Sequence, residues 1–170
     1  IAGLVLNRVL RVGSFSYEVG GYLPPFGIEL VADGVSAPLL LVIAFVSLGV
    51  VIYSINAGPH SDVFYSELLL LLAGLSGLVA TGDVFNLYVF LEITGLATYA
   101  VVASGRSSGA AYASLKYLII GTIGASFYLL GVGYLFVATG TLNMADLATT
   151  IPEVGYGSPL IVAGVAFIAV

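Results

Sequence analysis

Two ionisable residues sit deep inside long apolar runs, and they are the groups best placed to do chemistry. Glu92 lies near the middle of FNLYVFLEITGLATYA, and Lys116 lies in AAYASLKYLIIG. A charge in hydrocarbon is expensive, so such groups face the interior of a helix bundle and mark ion or proton pathways. Glu92 stands about 11 residues, roughly 16 Å, from the Ser104-Gly105 end of its run, too deep for a short side chain to reach water. Desolvation favours a neutral carboxyl and a nearby cation favours an ionised one. A carboxyl balanced between the two takes up and releases protons near working pH. The competing reading is a neutral Glu92 in a structural interhelical hydrogen bond. Lys116 lies about 7 residues, roughly 10 Å, from the same side. It is either a cation that sets the proton affinity of Glu92 or a lysine snorkelling to the nearer interface. If the two runs form a hairpin, a direct or water-bridged contact between them is within reach.

The other polar groups admit simpler readings. Asp83 precedes the third apolar run, with Asn86 three residues on, a pattern that suits a helix N-cap; the alternative is a proton entrance. Glu67 reads as an interfacial charge near a helix N-terminus, and Asp33 as the cap of the first run. His60 sits in the polar loop Gly58-Pro59-His60-Ser61-Asp62 and reads as solvated. Tyr88, Tyr99 and Tyr117 read as packing or interfacial aromatics. With no cysteine and one histidine, the chain offers no disulfide, thiolate site, paired-imidazole haem site or Ser-His-Asp arrangement. Its carboxylates are not clustered for a metal, so no cofactor and no metal are expected.

The elements that must hold these groups follow from composition. Of 170 residues, 60% are hydrophobic and 8% charged, against about 25% charged in a soluble domain. Mean hydropathy is +1.16. So little charge cannot cover a globular surface, and lipid is the expected solvent. The net charge of −5 argues against a nucleic-acid partner. A span needs roughly 20 apolar residues. Spans are expected at about 35–55, 63–80, 84–103 and 110–138, with a fifth from 158 cut short at 170. Residues 1–13 read as the end of an earlier span. Thr81-Gly82-Asp83 and the loop of residues 104–109 are short, so successive spans form antiparallel hairpins. Residues 13–33, with Pro24-Pro25, Glu18 and Glu29 ahead of Asp33, read as a loop outside the membrane, and no strands are expected. Ala110, Ala113, Ser114, Gly121, Gly124 and Gly131 form a small-residue stripe, and Gly74 with Gly77 a second; both predict close helix approach. The first residue, Ile1, and the closing run LIVAGVAFIAV read as cuts within a longer protein. Arg106 on one side and Arg8 with Arg11 on the other leave orientation undecided. The fold class is therefore all-α: a polytopic, multi-pass transmembrane helical bundle, truncated.

The runs PPFGIELVADGVSAPLLLV, GDVFNLYVFLEITGLATYA, AAYASLKYLIIGTIGASFYLLGVGYLF and ATGTLNMADLA resemble the D subunit of Mrp-type monovalent-cation/proton antiporters. The resemblance extends from about Tyr22 to Leu147, and TGTLNMADLA is its most specific part. The GD…FLE element also occurs in the antiporter-like proton-pumping subunits of respiratory complex I and membrane-bound hydrogenases. The resemblance implies a subunit of about fourteen helices in two inverted repeats, of which this chain is the N-terminal part. It maps a fifth-helix glutamate onto Glu92 and a sixth-helix lysine onto Lys116. It also implies a partner lysine in a broken seventh helix, beyond Val170, and a cytoplasmic position for the Arg106 loop.

The expected function is proton translocation by a subunit of a monovalent cation (Na+)/proton antiporter in a prokaryotic cell (inner) membrane. Its partners would be further membrane subunits, protons, monovalent cations and the lipid bilayer. The alternative is the same fold pumping protons for a complex I-type quinone oxidoreductase or a membrane-bound hydrogenase. A third class, a receptor with Lys116 in a Schiff base to a chromophore, conflicts with the small residues around Lys116, which predict tight packing.

Overall fold

The computed structural model describes residues 1–58, 61–105 and 107–169. His60 and Arg106, on which the loop-histidine and orientation readings rest, lie outside the described residues. The chain runs α1 (Ala2–Val12), β1 (Phe15–Glu18), a 3-10 turn (Val19–Gly21), β2 (Glu29–Ala32), α2 (Ser36–Ala57), α3 (Asp62–Ala80), α4 (Val84–Ala103), α5 (Ala110–Thr139), α6 (Met144–Val154) and α7 (Pro159–Ile168). Four of these, α2, α3, α4 and α5, are long and apolar enough to cross a membrane. Their 22, 19, 20 and 30 residues extend about 33, 28, 30 and 45 Å at 1.5 Å per residue, so all but α5 match a hydrocarbon core of about 30 Å. The all-α membrane bundle read from composition is the observed architecture.

Few side chains are buried, and large apolar residues such as Phe45, Ile120 and Val137 are exposed. This is the pattern of helices whose outer faces meet lipid or further protein rather than water. The helices are held where side chains are small. Gly74 faces Thr94 and Ile93, and Gly77 faces the Phe90 ring, so α3 lies close against α4. The small residues of α5 serve two neighbours. Ser114 donates to the Tyr99 carbonyl of α4 at 2.7 Å, while Gly131 lies against Gly164 and Ile168 of α7. A smaller core joins α1 to α2 around Val9, Ala32 and Ala37.

The segment before α2 departs from the expected loop. β1 and β2 pair antiparallel, with Phe15 opposite Ala32 and Glu18 opposite Glu29. Four-residue strands are too short to show a two-residue period, and their pairing is non-local, so the sequence carried no strand signal. The hairpin closes one end of the bundle. Gly82 donates to the Glu29 carbonyl at 2.9 Å, Val84 to Leu142 at 2.9 Å and Met144 to Gly82 at 2.8 Å. Asn143 is 2% exposed. Its amide donates to the Glu29 carboxylate at 2.8 Å, and its oxygen caps α6 by accepting from Ala145 and Asp146. TGTLNMADLA is thus the clasp that ties α6, the hairpin and the α3–α4 turn together.

Asp33 anchors α2. Its carboxylate accepts from the backbone of Ser36 at 2.7 Å and of Val35 at 2.9 Å. These bonds, that from Ser36 first, hold its pKa below the usual 3.8. A lowered carboxyl pKa contributes stability that is present above the unfolded value and lost as pH falls through the folded one. Asp33→Ala is expected to destabilise the protein by about 1 kcal/mol near neutral pH. The deficit should shrink as the pH of thermal unfolding in detergent is lowered below 3.8. A deficit that persists unchanged at acid pH would assign it to packing.

Candidate functional site

α4 is fixed at its start before it presents Glu92. Asp83 is 6% exposed, and its carboxylate accepts from the Asn86 backbone at 2.7 Å. Asn86 in turn donates to the Thr81 hydroxyl at 2.9 Å. Asp83 also lines a recess of about 300 Å3 with Phe26, Phe85, Phe136 and Thr141 at the hairpin end of the bundle. It is therefore both the cap of α4 and a buried acid at a recess.

One face of α4 packs on α3 through Phe90, Ile93 and Thr94. The other turns to α5 and carries Tyr88, Glu92, Gly95 and Tyr99, spaced at helical intervals along one stripe. Tyr88 stacks on Tyr128 of α5 at 6.4 Å, and Tyr99 meets Tyr117 edge-on at 5.2 Å. Glu92 lies between these two aromatic pairs. It lines a cavity of about 310 Å3 with Tyr99, Tyr117, Tyr128, Gly121, Gly124 and, from α7, Ile168. Gly124 has no atom within 4 Å of where its Cβ would stand, so it leaves this space open. The Tyr128 hydroxyl is tied to the Val84 carbonyl at 3.0 Å. A cavity of this size, with a carboxyl and hydroxyls on its walls, has the room and polar partners that water requires. The chemistry such an arrangement can offer is reversible protonation of one carboxyl on a cavity wall at membrane depth.

Lys116 is not brought to Glu92. Its ammonium lies over the Tyr112 ring, 4.5 Å from the centroid, and it does not line the Glu92 cavity. It is exposed in this chain, although the next residue, Tyr117, lines the cavity. Glu67 differs from the interfacial charge expected of it: one carboxyl oxygen is buried with no hydrogen-bond partner. The sequence reading treated Tyr99 and Tyr117 as packing residues and passed over Tyr128, Glu29 and Asn143. The spacing of Glu92, Gly95 and Tyr99 was the available signal for the first of these.

The model of the NADH:quinone oxidoreductase/Mrp antiporter transmembrane family matches residues 80–170, the stretch holding α4 to α7. The N subunit of a NADH-quinone oxidoreductase of Desulforudis audaxviator is 47% identical over 95% of this chain and 33% of its own length. The D subunit of a Na(+)/H(+) antiporter of Bacillus subtilis is 36% identical over 100% of this chain and 35% of its own length. Among solved structures, a chain of the membrane-bound sulfane sulfur reductase, an archaeal respiratory membrane complex, superposes with a TM-score of 0.90 at 39% identity, covering 98% of this chain and 34% of that one. This chain thus spans about a third of the length of these relatives. A bundle of membrane-spanning helices with a carboxyl on the wall of a cavity between them, and a family match across more than half its residues, belongs to the NADH:quinone oxidoreductase/Mrp antiporter transmembrane family.

Proposed function

We propose that this chain is the N-terminal part of a proton-translocating subunit of a multisubunit monovalent cation (Na+)/proton antiporter in a prokaryotic cell membrane. The chain works as a transporter subunit, with no enzymatic chemistry of its own. The observation that carries this reading is the cavity at which α4, α5 and α7 meet, with Glu92 on its wall. Glu92 is the proton acceptor. Asp83, at the recess on the hairpin side, is the group a proton would meet near that face. Coupling is electrostatic: at low dielectric, protonating Glu92 removes a charge that neighbouring cations feel. The partners are further membrane subunits, protons, monovalent cations and lipid.

The test is to express the full-length subunit with its partner genes in cells lacking their own Na+/proton antiporters. Everted vesicles should lose their pH gradient when Na+ is added. No response to any monovalent cation would overturn the antiporter reading. A second reading, a proton pump driven by electron transfer in partner subunits, draws on the higher identities to the two redox relatives. It predicts proton movement only while an electron donor is being oxidised.

Lys116 acts from a distance in this reading, because it faces Tyr112 rather than the cavity. Lys116→Ala is expected to lower proton flux by no more than about fivefold, the ~1 kcal/mol scale of a solvent-screened charge effect. Flux equal to wild type in proteoliposomes would leave Lys116 a snorkelling residue only.

A further inference from the structure

We propose that Tyr99 is the proton-positioning residue between Glu92 and the membrane face at which α4 ends. Its backbone lies four residues, about 6 Å, before the end of α4, so it starts near that face. Its side chain runs the other way. Long side chains on a helix lean toward the N-terminus and cover the preceding turn, and here that direction leads to Glu92, two turns earlier. What permits this path is the absence of a side chain at Gly95, which lies between them. A Cβ there would stand 3.1 Å from the Tyr99 hydroxyl. The hydroxyl ends in a second gap, on α5, where a Cβ at Gly121 would overlap it. Two glycines on two helices therefore form the seat of one hydroxyl, and both it and Glu92 border the same cavity.

The surroundings keep it there. Tyr117 packs edge-on against the ring at 5.2 Å, and Ser114 fixes the adjacent backbone by donating to the Tyr99 carbonyl at 2.7 Å. Among the described residues, the other ionisable groups on this cavity are Tyr117 and Tyr128. Tyr128 is engaged with a backbone carbonyl, and Lys116 is turned to Tyr112. The proton step balances simply. The Tyr99 hydroxyl oxygen accepts a proton from a hydronium on the outer side, which is left as water, and its own proton passes to cavity water. That water protonates the Glu92 carboxylate. Tyr99 is left as it began, and Glu92 has gained one proton.

This assignment rests on Glu92 being the proton acceptor, and the experiment separates the two. Tyr99→Phe, Gly121→Ala, the double variant and Glu92→Gln are made in the full-length subunit within its complex. The rate of Glu92 protonation after a pH jump on the α4-end face is followed by its infrared carboxyl band, alongside proton flux in proteoliposomes. Tyr99→Phe removes one oxygen and keeps the ring packing. It is expected to slow protonation about a hundredfold, the low end for a positioned proton-transfer group. Gly121→Ala displaces the same hydroxyl, so the double variant should be no slower than the slower single one. A merely structural role would instead give losses that multiply, and that outcome overturns the assignment. So does a wild-type rate in Tyr99→Phe beside an inactive Glu92→Gln. An active Glu92→Gln would instead overturn the reading of Glu92 itself.

Discussion

Glu92→Gln is expected to abolish proton-coupled transport while the full-length subunit still inserts and assembles. Glutamine keeps the shape and hydrogen-bonding capacity of the side chain but cannot take up and release a proton in the working range. The substitution therefore separates the two accounts of a carboxyl at membrane depth. A structural hydrogen bond survives the change to an amide; a proton acceptor does not. The geometry sharpens this test. Glu92 borders an open cavity with three tyrosines and lies between the Tyr88–Tyr128 and Tyr99–Tyr117 pairs. Its removal leaves that cavity with hydroxyls alone, and a phenol ordinarily titrates near 10, far above working pH. Flux should fall to the background of empty liposomes, with membrane levels by immunoblot equal to wild type. Full flux in an assembled Gln variant would remove Glu92 from the mechanism.

Gly131→Leu should have the largest structural effect. At this point the backbones of α5 and α7 are in near contact. A Cβ on Gly131 would stand 2.6 Å from the Gly164 carbonyl oxygen, 2.8 Å from Ile168 Cγ1 and 3.0 Å from the Ile168 nitrogen. Gly164 is also tightly placed, its Cβ position lying 2.9 Å from Leu135 Cδ2 and 3.1 Å from the Gly131 carbonyl oxygen. Backbone atoms cannot swing aside as a side chain tip can, so the helices must separate. Overpacking a tight site costs about 1–3 kcal/mol, and losing the α5–α7 contact adds to it. Since about 1.4 kcal/mol is tenfold in an equilibrium, the folded-to-unfolded ratio in detergent should drop about tenfold or more. Gly124→Ala is the matched control, because nothing lies within 4 Å of its Cβ position. Equal loss in both variants, read by thermal unfolding, would show that helix propensity rather than this contact sets stability. Separation of α7 also withdraws Ile168 from the wall of the Glu92 cavity, so surviving Gly131→Leu protein should leak or lose flux.

The sequence and the structure divide the explanation along a physical line. Solvent choice is a one-body property: each residue's transfer free energy adds along the chain, so 60% hydrophobic and 8% charged residues were enough for an all-α membrane bundle. The cost of a buried charge is also one-body, which is why Glu92 stood out before any neighbour was known. Local capping was legible for the same reason, since Asp83 and Asn86 meet within one turn. Family membership was legible from unbroken runs, most of all TGTLNMADLA.

Pairwise contacts between distant segments were decided only by tertiary structure. The strands of the hairpin, and the bond from Asn143 to Glu29 across 114 residues, depend on which backbones meet. The sequence allowed Lys116 to touch Glu92, but the rotation of α5 turns it to Tyr112 instead. The small-residue stripe predicted close approach without saying to whom; the structure divides it between α4 and α7 and leaves Gly124 bordering a cavity. Tyr99 shows the division most directly. Its spacing from Glu92 was written in the chain, but the seat of its hydroxyl needs a glycine from another helix, and helix rotation about its own axis is set by packing, not by hydrophobic length.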